Sequence, residues 1–74
     1  MNEEFLIRGE LITLDALLKV LGWAESGGQA KILIAEGKIL VDGEVETRKT
    51  RKLRGGEVVV YDGKAVTLKA APQN

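Results

Sequence analysis

Five basic side chains lie in one short segment of this chain. The stretch RKTRKLR, residues 48–54, holds five of the eleven Lys and Arg residues, although the formal net charge of the chain is zero. No acid lies between Thr47 and Glu57 to relieve the repulsion among these charges. The segment is therefore predicted to bind an external polyanion. Phosphate fits best, because Arg can hold it with two parallel hydrogen bonds and Lys acts as a point charge. The candidate phosphate contacts are Arg48, Lys49, Arg51, Lys52 and Arg54.

Residues 48–54, called the basic segment below, also have a structural interpretation. They could form a solvated loop, or an edge strand whose charges discourage sheet-to-sheet aggregation. Leu53 is expected to tether the segment to the core.

The stretch SGGQAK, residues 26–31, places two glycines at the start of a predicted helix. Glycine is less favourable than alanine inside a helix by roughly 1 kcal/mol, so the pair needs a reason. Without Cβ atoms, Gly27 and Gly28 would let a phosphate reach unpaired N–H groups at the positive end of the helix dipole. The alternative is close packing of this turn against a strand. The candidate contacts at this helix start, one turn further on and just beyond the helix are Ser26, Gly27, Gly28, Gln29, Lys31 and Lys38.

Aromatic side chains make up 4% of the sequence, too few for a base-stacking platform. Trp23 and Tyr61 are therefore expected to be core residues, although Trp23 could instead stack on an unpaired base. Recognition of a nucleic acid would then depend on shape and charge.

Residues suited to catalysis are scarce. The chain has no Cys and no His, which removes disulfides, thiolate metal sites and the side chain that most often titrates near neutral pH. Asp42 and Asp62 each precede a glycine and are expected in turns. The stretch DGKA, residues 62–65, lacks the upstream glycine and the hydroxyl residue of a Walker-type loop. We expect no enzymatic activity, metal site, cofactor or small-molecule substrate.

The charges are unevenly distributed. Residues 1–25 carry a net charge of −3, residues 26–56 a net charge of +3, and residues 57–74 balance. A basic region on a neutral chain favours a localised polyanion site. No apolar run resembles a signal peptide or approaches the roughly 20 residues of a membrane span, so we expect a cytoplasmic protein without a membrane partner. We also expect a monomer.

Two amphipathic helices are predicted in the first half of the chain. Thr13 is the expected N-cap of the first, with Asp15 in its first turn and Gly22 as its stop. The second begins at Ser26, whose side chain and that of Gln29 form a capping box, and it ends at Gly37. Apolar residues at helical spacing form the inner faces: Leu14, Leu17, Leu18 and Leu21, then Ala30, Leu33 and Ile34.

Strands are predicted around these helices. FLIRG, residues 5–9, predicts an opening strand or an extended arm, and KILVDGEVET and EVVVYDGKAVTLK each predict a hairpin with an Asp-Gly turn. A strict two-residue loop would set Ile39 and Val41 opposite Glu46 and Glu44, so one turn is expected to be longer or bulged. The basic segment joins the hairpins as a loop, and residues 70–74 form a frayed tail. The fold class is α+β: a two-helix hairpin packed on a small, mostly antiparallel sheet, in one domain spanning residues 1–74.

The segment TLDALLKVLGWAESGGQAKILIAEGKILVDGEVETRKTRKLRGGEVV, residues 13–59, resembles the S4 RNA-binding domain, which is built around the alpha-L motif. The resemblance rests on an ordered set of positions: Leu14-Asp15, Leu18, Ser26, Gln29-Ala30-Lys31, Ile34, Gly37, Lys38-Ile39, Val41-Asp42-Gly43 and Gly56-Glu57. The runs SGGQAK and GEVETRK and the short length are similar to the stand-alone YbcJ/YaaA-type subgroup of bacterial proteins. In the wider family Arg often stands where this chain has Thr13 and Gly27.

This resemblance implies a non-enzymatic protein that binds structured RNA, with ribosomal RNA or tRNA as the expected ligand, through the helical hairpin and the neighbouring basic surface. A different hypothesis is a small adaptor that docks its basic loop on an acidic protein surface. Ribonuclease separates the two, because only an RNA-mediated association is lost on digestion.

Overall fold

Two short helices pack on a mixed, mostly antiparallel sheet, which confirms the α+β fold class. The computed structural model describes residues 2–71. In chain order the elements are β1 (Asn2–Ile7), β2 (Ile12–Thr13), α1 (Leu14–Val20), α2 (Gly27–Ala35), β3 (Leu40–Val41), β4 (Glu44–Val45), β5 (Lys52–Leu53), β6 (Val58–Tyr61) and β7 (Lys64–Ala70). Within the described range, no helix combines the length and the apolar character needed to cross a bilayer.

The main sheet has five strands in the order β1-β7-β6-β3-β4. The opening stretch forms a strand rather than an arm, because β1 pairs with β7 from Asn2↔Ala65 to Ile7↔Ala70. This pairing is parallel, and the others in the sheet are antiparallel. A separate two-stranded ladder joins β2 to β5. The predicted tail begins too early, because Ala70 still belongs to β7; residues 72–74 lie outside the described range.

The core lies between the helices and the sheet, and the predicted inner faces of the helices supply much of it. Fully or nearly fully buried residues come from both helices, from five strands and from two connecting segments: Ile7, Leu14, Leu17, Leu18, Ala24, Ala30, Leu33, Ile34, Ile39, Val41, Leu53, Val59, Val66 and Leu68. Leu21 is only partly buried at the edge of this cluster. Leu53 is fully buried, so it does tether the basic segment to the core.

Helix α1 begins and ends where the sequence predicts, but Thr13 does not cap it with its side chain. Thr13 has the extended backbone of an N-cap residue and belongs to β2. The first helical N–H groups are satisfied by a neighbouring segment instead, since Leu14 N donates to Arg51 O at 2.9 Å and Asp15 N donates to Lys49 O at 3.1 Å. A side-chain cap is therefore unnecessary.

Both hairpins have strict two-residue Asp-Gly loops, so the expected longer or bulged turn is wrong. Leu40 pairs with Val45 around the first turn, and Tyr61 pairs with Lys64 around the second. Both turn aspartates have positive φ values of 52°, and the following glycines have 85° and 77°, as a type I′ turn requires. The first register places Glu46 beside Ile39, where Glu46 N donates to Ile39 O at 3.0 Å.

Candidate nucleic-acid interface

The basic segment is held against the start of α1 rather than projecting as a loose loop. Its carbonyl groups at Lys49 and Arg51 accept the α1 hydrogen bonds described above. Lys52–Leu53 form β5 and pair with Ile12–Thr13, so the second part of the predicted loop is a short strand. The backbone of the segment is therefore fixed from two sides.

Glu46 lies under the basic segment and binds two of its arginines. Its side chain is only 8% exposed. One carboxylate oxygen, Oε2, accepts from the Arg48 backbone N and from Arg48 Nε, both at 3.0 Å. The other, Oε1, accepts from Arg48 Nη2 at 2.9 Å and from Arg51 Nη1 at 2.8 Å. Glu46 thus joins the guanidinium groups of two residues that are three positions apart.

These contacts change the protonation equilibria of the pair. Hydrogen bonds from Arg48 and then from Arg51 hold the pKa of the Glu46 carboxyl far below its ordinary value of 4.5, although burial opposes this effect. The same hydrogen bond with Glu46 raises the pKa of Arg48. Glu46 is therefore ionised over the whole physiological range. It gives the basic segment a local counter-charge that lies one residue before Thr47, outside the acid-free stretch.

Glu46 leaves most of the positive charge of the segment exposed. Arg48 is held by the carboxylate while 72% of its side chain faces solvent, and 29% of the Arg51 side chain is exposed. Lys49, Lys52 and Arg54 are exposed and form no ion pair within residues 2–71. An open depression of about 390 Å³ is lined by Arg48, Thr50, Arg51 and Lys52. Four of the seven residues of the segment thus share one concavity.

The start of α2 is a second polar surface, and close packing does not explain its glycines. A Cβ atom at Gly27 would meet nothing within 4 Å, and one at Gly28 would meet only Ser26 Oγ at 3.8 Å. Ser26 Oγ accepts from Gln29 N at 3.1 Å, and the Gln29 side chain accepts from Glu25 N in a variant of the predicted capping box. Among the described residues, no partner binds the N–H groups of Gly27 and Gly28. This helix start is open to solvent.

The two remaining candidate lysines are exposed, and neither lines the basic depression. Lys31 lies on the second turn of α2 and forms no ion pair within residues 2–71. Lys38 is 3.6 Å from Glu36 and lines a different depression with Tyr61 and Asp62. No hydrogen bond or ion pair of the described chain joins the α2 start to the basic segment. That the two surfaces contact one ligand stays a prediction.

Trp23 packs at the edge of the core with Tyr61. Both residues are partly buried against the core cluster, and their ring centroids are 6.1 Å apart. Lys64 Nζ lies 5.7 Å from the Trp23 ring centroid and 5.3 Å from that of Tyr61. These distances are within the range of cation–π interactions. The link between the helices is thereby joined to the second hairpin turn.

Comparison with known proteins assigns a family to this architecture. A family model described as "S4 domain" matches residues 5–69, which is most of the chain. The chain belongs to the S4 domain family. This confirms the resemblance stated from residues 13–59 and extends it over β1 and β7.

Relatives of this S4 domain come from different bacteria. The chain is 52% identical over 59 residues to "Putative RNA-binding protein YbcJ" of Escherichia coli strain K12, covering 80% of this chain and 84% of that protein. It is 43% identical over 54 residues to "Probable ribosome maturation protein RlbA" of Bacillus subtilis strain 168, covering 73% and 76%. The solution structure of E. coli YbcJ, described as revealing an alfaL motif involved in RNA-binding, matches with a TM-score of 0.65 and 45% identity over 93% of this chain and 86% of that one.

The S4 domain family is not an enzyme family, which confirms that this domain is non-enzymatic. Within residues 2–71, no group of three or more His, Cys, Asp or Glu residues is placed to hold a metal ion. The two polar surfaces described above offer exposed positive charge and, at the α2 start, exposed backbone N–H groups.

Sequence patterns did not predict the roles of two residues of this S4 domain, Glu46 and Lys64. Glu46 had a signal, because a strict Asp42-Gly43 loop places its side chain on the inward side, where a carboxylate needs a partner. Lys64 had none, since it is 41 positions from Trp23 and meets it only in the folded chain.

Proposed function

We propose that this S4 domain binds structured RNA, with ribosomal RNA or tRNA as its ligand, and that the basic segment forms the main contact. The observation that carries the proposal is the arginine pair ordered by Glu46 beside exposed lysines. Residues 46–54 contain five basic residues and one acid, so this surface keeps a net charge of +4. The names given to the YbcJ relative and its solved structure, which refer to RNA binding, support it.

The contacts are made to the phosphate backbone. Arginine forks bind phosphate oxygens in pairs and lysines neutralise charge at longer range, whereas neither reads the base sequence in this mode. With one Trp, one Tyr and one Phe in the chain, base stacking contributes little. Shape and charge of a folded RNA then determine selectivity.

The start of α2 provides a second contact. Its N–H groups at Gly27 and Gly28 carry the positive end of the helix dipole, and the absence of Cβ atoms lets a phosphate oxygen approach them. Ser26 and Gln29 hold this turn in place, and Lys31 adds a positive charge on the next turn of α2. Lys38, beyond the end of α2, is proposed as a separate outlying contact. We propose that the protein acts in this way as a monomer in the cytoplasm.

Filter binding to bulk bacterial tRNA and to purified ribosomal RNA over a salt series tests the proposal. If all five charges of the basic segment neutralise phosphates, log K falls with log salt at a slope of roughly −3.5 to −4.5. Lys49→Gln and Lys52→Gln each flatten the slope by about 0.7 to 0.9. Lys19→Gln, at the opposite end of α1 from the basic segment, serves as the control and leaves the slope nearly unchanged.

Two results would contradict the proposal. One is an RNA affinity that barely responds to salt in the wild-type protein. The other is a partner protein, recovered from cell extract, that stays bound after ribonuclease treatment while neither RNA binds; this would favour the adaptor hypothesis.

A further inference from the structure

We infer that Glu46 assembles a phosphate-binding site from Arg48, Thr50, Arg51 and Lys52, and that this acid is a positioning residue for RNA. The inference rests on the proposed function and deepens it, because it names one subsite and the group that builds it. The ligand class is a phosphodiester oxygen of the RNA backbone.

The geometry shows how an acid can favour an anionic ligand. Glu46 accepts hydrogen bonds from Arg48 Nε, from one N–H of Arg48 Nη2 and from one N–H of Arg51 Nη1. A guanidinium has five N–H donors, so most donors of each arginine are not used by Glu46. These donors belong to the residues that line the depression of about 390 Å³. The carboxylate therefore orients both forks without blocking them.

The Arg48 side chain shows the consequence most directly. It is 72% exposed, and an exposed arginine without a partner would sample many rotamers. Its Nε, Nη2 and backbone N are all bound by one carboxylate, so its guanidinium is held in a single orientation. A ligand that meets an ordered fork avoids the entropy loss of ordering it on binding. Thr50 adds a hydroxyl to the same concavity.

The effect of Glu46 on the net charge of this surface distinguishes positioning from simple charge attraction. A surface that attracted RNA through charge alone would be improved by removing this acid, because its net charge would rise from +4 to +5. Positioning predicts the opposite, since both arginines lose their common anchor when the carboxylate is removed. The sign of the change in RNA affinity therefore separates the two.

The matched pair Glu46→Gln and Glu44→Gln measures that sign. Both residues follow the first hairpin turn, and both substitutions remove one negative charge, but Glu44 is exposed and makes no ion pair within residues 2–71. Binding to bulk bacterial tRNA and to purified ribosomal RNA is measured over the same salt series for wild type and both variants. We expect Glu46→Gln to weaken binding about 5- to 20-fold, consistent with the loss of ordered contacts. Its salt slope flattens by up to about 1.4 to 1.8 if both arginine contacts are lost. Glu44→Gln binds as wild type or slightly tighter.

A positioning role for Glu46 differs from a purely structural role in one respect: the effect of Glu46→Gln on RNA affinity should require Arg48 and Arg51. In an Arg48→Gln, Arg51→Gln background, a positioning residue has nothing left to position, so adding Glu46→Gln leaves the affinity unchanged or slightly higher, as expected for the loss of one negative charge. A further loss of affinity in that background would overturn the inference. Should Glu46→Gln fail to fold by circular dichroism, Glu46→Asp keeps the charge and withdraws the carboxylate by one methylene; it is expected to weaken binding, and wild-type affinity would overturn the inference.

The same titrations separate this inference from the proposed function. If wild type binds RNA with the expected salt slope but Glu46→Gln binds as tightly as Glu44→Gln or tighter, the positioning role is wrong and RNA binding stands. If wild type binds neither RNA, the proposed function fails and the inference fails with it.

Discussion

Glu46 Oε1 and Arg51 Nη1 lie 2.8 Å apart, across the point where the first hairpin gives way to the basic segment. Their ion pair explains how a hairpin with a strict Asp42-Gly43 loop can direct a carboxylate inward. Burial of a charge is costly unless the charge is paired and hydrogen-bonded. Here the partners come from the segment that the hairpin leads into, so the turn does not need a bulge.

The Glu46 ion pairs predict an acid-sensitive contribution to stability. The folded-state pKa of Glu46 lies far below its ordinary value of 4.5, which represents the unfolded chain. Stabilisation is therefore complete above about pH 4.5 and is lost as pH falls toward the folded-state pKa, because the unfolded state takes up the proton first. At neutral pH, Glu46→Gln should lower the free energy of unfolding by roughly 1–3 kcal/mol. Urea unfolding of both proteins between neutral pH and about pH 3 should show this difference shrinking.

The loss of charge itself is controlled by Glu44→Gln, which removes an exposed carboxylate next to the same turn. That variant should unfold with nearly the wild-type free energy at neutral pH, since exposed charges contribute about 0–1 kcal/mol. A difference between wild type and Glu46→Gln that is the same at neutral and acidic pH would contradict the ion-pair account.

Replacing Gly55 with alanine is predicted to destabilise the fold more than the same replacement of its neighbour Gly56. Gly55 has φ 126°, and a Cβ atom there would lie 2.8 Å from Ala70 N and 2.9 Å from Ala70 Cβ. Gly56 has φ 92°, but a Cβ atom would meet nothing within 4 Å. Gly55→Ala combines backbone strain with overlap and should cost about 2–5 kcal/mol, whereas Gly56→Ala should cost about 1–3 kcal/mol from strain alone. Equal losses in the free energy of urea unfolding for the two variants would contradict this prediction, because they would show that β7 shifts to accommodate the Gly55→Ala methyl group without a loss of stability.

Local signals predicted the parts of the fold that are local in sequence. Ser26, Gly22 and Gly37 mark helix boundaries through caps and positive φ, and the Asp-Gly pairs mark both turns. The parallel pairing of β1 with β7 joins the two ends of the described chain, and no short-range pattern encodes such a contact. Its strands are adjacent only because the whole sheet is formed.

The candidate site divides in the same way. The sequence alone predicts the basic segment and the α2 start as candidate contacts, because a high charge density and a glycine pair can be recognised within a short stretch. The role of Glu46 depends on hairpin register, and a one-residue difference in register would turn its side chain to the opposite face. Sequence patterns alone did not settle that register, so the counter-charge of the arginines became apparent only in the structure.

Gly27 and Gly28 at the α2 start should lower the stability of the fold and raise its affinity for RNA. Neither has positive φ and neither packs against a neighbour, so Gly27→Ala and Gly28→Ala should each stabilise the fold by about 0.4–1 kcal/mol. The added methyl groups stand between a phosphate and the helix N–H groups, so RNA affinity should fall several-fold. Ala35→Gly, at the other end of α2, is the control: it should lower stability and leave RNA affinity unchanged. Stabilised glycine variants with wild-type affinity would remove the α2 start from the interface.

Trp23 is predicted to stabilise the fold and not to stack on an RNA base. Lys64 Nζ lies over the rings of both Trp23 and Tyr61, so a base could stack on this side only after displacing the cation. Lys64→Ala should lower the free energy of unfolding by about 0.5–1 kcal/mol through loss of the cation–π contacts, and Lys64→Arg should retain most of it. Trp23 is the only tryptophan, so its fluorescence reports on one site: saturating tRNA or ribosomal RNA should leave the emission maximum in place, whereas urea should shift it to the red. Strong quenching by RNA in the folded protein would instead make Trp23 a base contact.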